Sequence, residues 1–173
     1  SAVLDSVKNG INNTLNNPNE VALAQKLLKM NEFAGGVKFA RSGAEAMSIA
    51  IRIARAYSGK DQIAFSGYHG WSDWYLAANI DDEENLSNHL LPGLEAKGVP
   101  KGLLNSVFPF EYNNLQEVEE IVEANDIGVI VIEGARYDLP EDEFIEGIPF
   151  SNVYFFSIYD ITFNNGLHFI KTS

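Results

Sequence analysis

A chain of 173 residues can bury the core of one domain, and 24 acidic residues against 12 Lys and Arg give it a formal net charge of −12. That charge repels phosphate backbones and anionic lipid surfaces, so neither nucleic acid nor a membrane is expected as a partner, and no span is apolar and long enough to cross a bilayer. The absence of Cys removes disulfides, thiolate metal sites and cysteine nucleophiles together and fits a reducing compartment. No basic-then-apolar signal segment opens the chain. Asn12-Asn13-Thr14 and Asn85-Leu86-Ser87 are therefore expected to be chance matches to the glycosylation pattern, and a cytoplasmic location is expected.

Residues 1–30 predict a short helix, an Asn-rich polar stretch and a second helix, with Pro18 in the turn just before it. The apolar positions Val21, Leu23, Ala24, Leu27 and Leu28 fall mostly on one face of that second helix. "GGVKFA" (35–40) predicts a strand, "RSG" a turn and residues 44–57 a helix. Glu45, Ser48, Arg52 and Arg55 make a narrow polar stripe on it, which predicts a helix buried on most sides. A strand over 62–65 completes a β-α-β unit. The aromatic stretch "YHGWSDWYLAAN" follows, then an irregular excursion over 80–102. "SVFPFEYN" predicts a strand, "NLQEVEEIVEAN" an acidic amphipathic helix and "IGVIVIEG" a strand buried on both faces of a parallel sheet. "SNVYFFSIYD" predicts one more strand, with no helix before it where the alternation would place one. The fold class is α/β, a three-layer arrangement with a mostly parallel sheet flanked by helices.

Four strand ends carry the chemistry. Ser42 and Gly43 open a helix whose first N–H groups lack partners and carry the positive dipole end, so they are either an anion seat or an ordinary N-cap and turn. Gly67-Tyr68-His69-Gly70 sets an aromatic ring at the carboxyl edge of the next strand, where α/β folds bind ligands. Tyr68 could stack on a planar ligand there; alternatively Tyr68 and Trp71 cover the core and His69 is a hydrogen-bonded structural histidine. His89 and His168 lack a second ligand at metal spacing and are structural or exposed. Glu133 and Asp160 each end an apolar strand, as binding groups or as solvated strand-end residues. An anion seat, an aromatic shelf and two acids describe a cleft for a flat anionic ligand with a cationic ring nitrogen, the shape and charge of pyridoxal 5′-phosphate.

The run "FARSGAEAMSIAIRIARAYSGKDQIAFSGYHGWSDWYLA" resembles the class III aminotransferases of the fold type I pyridoxal-phosphate superfamily, nearest to the glutamate-1-semialdehyde aminomutase-like branch. Phosphate turn, "AIRIAR" helix and G-Y-H-G turn match in order and spacing, and a looser match extends from about Ser1 to "VIVIEGARYDLPEDEF". The resemblance implies that Ser42, Gly43 and Ala44 hold the cofactor phosphate and that Tyr68 stacks on the pyridine ring, with His69 beside it in the same turn. It also implies that Glu133 takes the place of the family's strand-end Glu, although Gly134 stands where the family has Pro, and that Asp160 pairs with the pyridine nitrogen. The implied reaction moves an amino group from a small-molecule donor to a carbonyl acceptor; "YHGWSDWYLA" and "NHLLPGLEAKGVP" are similar to aminotransferase-like proteins of amino-sugar synthesis, which implies a keto-sugar or aldehyde acceptor. An aminomutase and a non-catalytic module binding a phosphorylated ligand or a partner protein are the alternatives, and the three-glycine nucleotide fingerprint is absent. The implied assembly is a homodimer.

After Asp160 the sequence departs from the family's Asp-Glu and Gly-Phe-Arg pattern. The family's Schiff-base lysine lies well downstream of that Asp, and Lys171 is too near it to fill the role, so no catalytic residue is assigned. Residues 1–147 are accordingly expected to be a partial cofactor-binding large domain, and residues 148–173 a divergent, truncated or frame-shifted tail.

Overall fold

The computed structural model describes residues 1–10, 17–32, 34–89, 93–133, 139–141, 144–148 and the backbone of 154–158. It divides into two compact units, Ser1–Lys38 and Phe39–Ser173. The first holds helices α1 (Ala2–Asn9) and α2 (Pro18–Met30). Pro18 is the first residue of α2 rather than part of a turn before it, a position where a missing N–H costs nothing. Asn17 and Glu20 close a reciprocal capping box there, with Asn17 Oδ1 accepting from Asn19 N–H as well. The expected apolar face of α2 buries no residue, and Val21 and Leu23 stand exposed.

The second unit is built on four parallel strands, β1 (Gln62–Ser66), β2 (Val107–Pro109), β3 (Ile127–Glu133) and β4 (Tyr154–Ile158), in the order β2-β1-β3-β4. Helix α3 (Gly43–Ser58) leads into β1, and α5 (Leu115–Ala124) joins β2 to β3. Between β1 and β2 come the one-turn α4 (Asp73–Leu76), 3-10 turns at Ala77–Asn79 and Lys101–Leu103 and, among the described residues of the expected excursion, turns and irregular backbone. Successive strand residues point to opposite faces, which sorts the core into two layers. Ile63, Phe65, Val129 and Val131 pack with Met47, Ile51 and Ala54 of α3 and with Trp74 and Tyr75. On the other face Ala64, Ile130 and Ile132 pack with Val118 of α5 and with Phe144 and Ile148. Ile127 joins this second layer despite its odd spacing because the register shifts between Gln62 and Ile63, leaving Gly128 as the extra residue. The chain steps from β1 outward to β2 and returns across β1 to β3. Such a reversal of strand order leaves a crevice at the carboxyl ends of the strands.

Three further expectations are corrected. Residues 35–40 form no strand: among the described residues no neighbouring strand offers a ladder to this segment. Helix α3 is buried on one face, at Met47, Ala50, Ile51 and Ala54, while Ile53 is 49% and Tyr57 64% exposed. Its narrow polar stripe records more apolar surface than the described residues cover. Finally, a one-turn helix, α6 (Phe144–Gly147), does precede β4, where Phe144 and Ile148 anchor it to the second core layer. Asp160, Lys171 and His168 lie outside the described residues, as does Gly134.

Candidate functional site

Ser42 is the N-cap of α3, with its Oγ accepting a hydrogen bond from Glu45 N–H at 3.2 Å. Glu45 reaches back one residue further, its Oε2 accepting from Arg41 N–H at 2.8 Å, so the entry to the helix is fixed from both sides. That arrangement occupies the Glu45 N–H and leaves those of Gly43 and Ala44 without a recorded acceptor among the described residues. Gly43 is exposed, and the space a side chain on it would fill is open. Two free N–H groups at the positive end of a 16-residue helix, over open space, suit a phosphate. The N-cap and anion-seat readings of Ser42 are compatible, because an oxygen that accepts from Glu45 keeps its own proton to donate. Ser42→Ala is expected to lower stability by about 1 kcal/mol through loss of the cap, read as a shift of the urea midpoint without change in slope.

The turn at 67–70 is pressed directly onto this helix start. A Cβ at Gly70 would lie 2.6 Å from Ala44 Cβ and 2.9 Å from Ala44 Cα, so only glycine allows the approach. Ser72 tightens it further: Ser48 Oγ donates to Ala44 O and lies 2.8 Å from Ser72 Oγ. Tyr68 is half-buried, its ring edge-on to Tyr75 with centroids 5.7 Å apart. His69 is 3% exposed, has Nε2 at 2.8 Å from Ser66 O and stacks on Trp74, the geometry of a brace inside the turn. Trp71, by contrast, does not cover the core; it is 71% exposed.

Glu133 closes the third side. Its Cβ and Oε2 would each lie 2.9 Å from a Cβ on Gly67, which sets the carboxylate at the end of β3 against the start of the aromatic turn. The structure thus brings Ser42, Gly43, Ala44, Tyr68, His69 and Glu133, which span 92 positions of sequence, to one carboxyl edge of the sheet. Asp160 follows β4 but lies outside the described residues.

Two further residues organise the chain next to this site, and the sequence assigns neither of them a place in it. Asn79 is 2% exposed and fully bonded, donating to Glu83 O and Leu94 O and accepting from Leu86 N–H, which gives the excursion a packed centre. Of the two readings of His89, structural or exposed, the first holds: it is buried against the turn, with Nδ1 accepting from Gly67 N–H. No local signal marks either of them, since their partners are distant in the chain or are backbone groups.

No family model matches the chain. A 3-aminobutyryl-CoA aminotransferase from Cloacimonas acidaminovorans is 31% identical to it over 157 residues, which is 85% of this chain and 34% of that protein. A glutamate-1-semialdehyde 2,1-aminomutase from Campylobacter hominis is 35% identical over 134 residues, covering 76% of this chain and 29% of the relative. Among solved structures, an omega-transaminase from Sphaerobacter thermophilus superposes with a TM-score of 0.72 at 23% identity, over 90% of this chain and 39% of that one. A transaminase with PLP bound gives 0.71 at 24% identity over 90% and 38%. The chain spans about a third of the length of the curated relatives it matches. Its fold is that of part of the large domain of a pyridoxal-phosphate-dependent transferase. The chain belongs to the class III aminotransferases, the family that includes the glutamate-1-semialdehyde aminomutases.

Proposed function

We propose that this chain carries the phosphate seat and the ring shelf for pyridoxal 5′-phosphate in an enzyme that transfers an amino group to a carbonyl acceptor. The observation that carries the reading is the contact between Gly70 and Ala44, because it joins the free N–H groups of Gly43 and Ala44 to the turn bearing Tyr68. The residues present fit the cofactor: an uncapped pair of donors for its phosphate, open space above them and an aromatic ring at the same edge. Gly43 and Ala44 bind the phosphate, Ser42 adds a hydroxyl, and Tyr68 fixes the tilt of the ring. Glu133 limits where the ring can lie at the β3 end. When bound, pyridoxal phosphate supplies the electron sink that lets a substrate Cα–H bond ionise. Asp160 is proposed as the acid that keeps the ring nitrogen protonated.

A separate amino donor and carbonyl acceptor, with a keto-sugar or aldehyde as the acceptor, is the reaction we favour; an aminotransferase among the relatives supports transfer between two molecules, and the aminomutase among them is the alternative. A homodimer is proposed as its assembly, and the exposed apolar side chain of Ile53 on α3 supports further packing on that helix. The test is a titration of the chain with pyridoxal phosphate and with pyridoxal, followed by visible absorbance and by quenching of tryptophan fluorescence. Saturable binding of pyridoxal phosphate, competed by inorganic phosphate and absent for pyridoxal, is expected. Equal binding of both compounds would remove the phosphate seat and with it this reading.

A further inference from the structure

The excursion between β1 and β2 sends one side chain back to the site. His89 is 7% exposed, with its ring centroid 5.7 Å from that of Phe65. Its Nδ1 accepts a hydrogen bond from Gly67 N–H at 3.3 Å, and Gly67 O accepts from Tyr75 Oη at 3.2 Å, so the first residue of the turn is held through both of its backbone groups. Gly67 has φ +97°, outside the range of an ordinary side chain, and its Cα faces Glu133 too closely for a Cβ. Glycine takes up that φ at no steric cost, and the two hydrogen bonds hold it there. A ring nitrogen can accept from an N–H only when unprotonated, so the Gly67 bond requires neutral His89 with its proton on Nε2.

We propose that His89 is a positioning residue: neutral, it fixes Gly67 and thereby the Tyr68 ring in the geometry that receives the cofactor, and protonated, it releases the turn and weakens cofactor binding. This rests on the function proposed above. The charged groups acting on the ring are Glu111, two residues beyond β2, which accepts from neighbouring Asn88 at 2.9 Å, and Glu117 on α5. Around the Gly67 end of the contact, Tyr75 of α4 donates to Gly67 O, Tyr68 and His69 of the turn each lie edge-on to Tyr75, and Glu133 packs on Gly67 from β3. Burial lowers the His89 pKa below the ordinary imidazole value, and Glu111 and Glu117 only partly oppose it. A native ring that binds its proton less readily than the unfolded chain's keeps the contact intact above about pH 6.5. The contact is lost as pH falls from there through the lower native value.

The experiment follows protection of the Gly67 amide from exchange, and pyridoxal phosphate affinity, between about pH 5 and 8. It compares the unaltered chain with His89→Asn, whose Oδ1 offers an acceptor that does not titrate, and His89→Leu, which offers none. The Gly67 amide is expected to be protected at the upper end and to lose protection toward the lower, to stay protected throughout in His89→Asn, and to be unprotected throughout in His89→Leu. Affinity is expected to follow the same order, with His89→Leu about fivefold weaker at the upper end. The cofactor phosphate also titrates, and the His89→Asn profile carries that contribution alone. Equal Gly67 protection in the unaltered chain and His89→Leu overturns the proposal, as does protection independent of pH in the unaltered chain; should His89→Leu not fold, the other two profiles decide. A chain that shows the expected Gly67 behaviour but takes up no pyridoxal phosphate overturns the proposed function instead, and reduces His89 to a holder of the turn.

Discussion

Replacing Gly70 with alanine is expected to abolish pyridoxal phosphate binding and to lower stability by about 2–6 kcal/mol, the sum of backbone strain and overpacking. Two independent penalties meet at this residue. Its φ of +103° is a conformation that side-chain-bearing residues rarely adopt. The added methyl would also stand 2.6 Å from Ala44 Cβ and 2.9 Å from Ala44 Cα, and the second of these is backbone in the first turn of α3. Relief requires the 67–70 turn to lift away from the helix start. Because the proposed phosphate donors lie on the helix and the proposed ring shelf on the turn, that motion separates the two halves of the site. Urea denaturation and the cofactor titration, run on the same variant, check both parts. A stable Gly70→Ala chain that binds as the unaltered one does would show that the turn and the helix need not touch.

The legible part of the sequence was whatever depends on local pattern. The uninterrupted apolar run at 127–133 announced a strand covered on both faces, and the residues from 44 to 57 announced a helix, because periodicity reports which side of an element meets other atoms. The extent of burial was not legible to the same degree. A narrow polar stripe on α3 says that apolar groups surround it, yet only packing decides how far each is covered, and Ile53 stays about half exposed. Residues 35–40 failed as a strand for a related reason: β-propensity describes a segment that fits beside a partner, and the partner is not a local property. The short α6 escaped notice because a single turn of four residues carries no period to read.

The site divides along the same line. Ser42, Gly43 and the 67–70 turn were identifiable because glycine and a capping serine mark backbone positions that other residues fill poorly. Their mutual approach came only from the structure. The supporting contacts of His89, Tyr75 and Asn79 join groups 22, 8 and as many as 15 positions apart, and no spacing rule connects an imidazole to a particular backbone N–H at such separations. The site reads as two recognisable turns; what aligns them is tertiary packing.

Phe65 shows where that packing concentrates, and Phe65→Ala is expected to cost about 3–5 kcal/mol, in the range for removing a large buried aromatic ring. The ring is fully buried at the end of β1. Tyr75 lies 5.0 Å from it, His89 5.7 Å, and His69 and Trp74 6.0 Å each, the last two edge-on, an arrangement that aromatic quadrupoles favour. Three of these neighbours also bond the turn: His89 and Tyr75 through Gly67, and His69 through Ser66. Deleting the ring therefore opens a cavity under the residues that position Tyr68, so cofactor affinity is expected to fall along with stability. Ile53→Ala supplies the contrast, since a residue 49% exposed on α3 is expected to change stability by no more than about 0.5 kcal/mol. Denaturation midpoints of the two variants check the difference. If Phe65→Ala loses the expected stability but binds pyridoxal phosphate unchanged, the turn is held by its hydrogen bonds alone and the aromatic cluster beneath it serves only the fold.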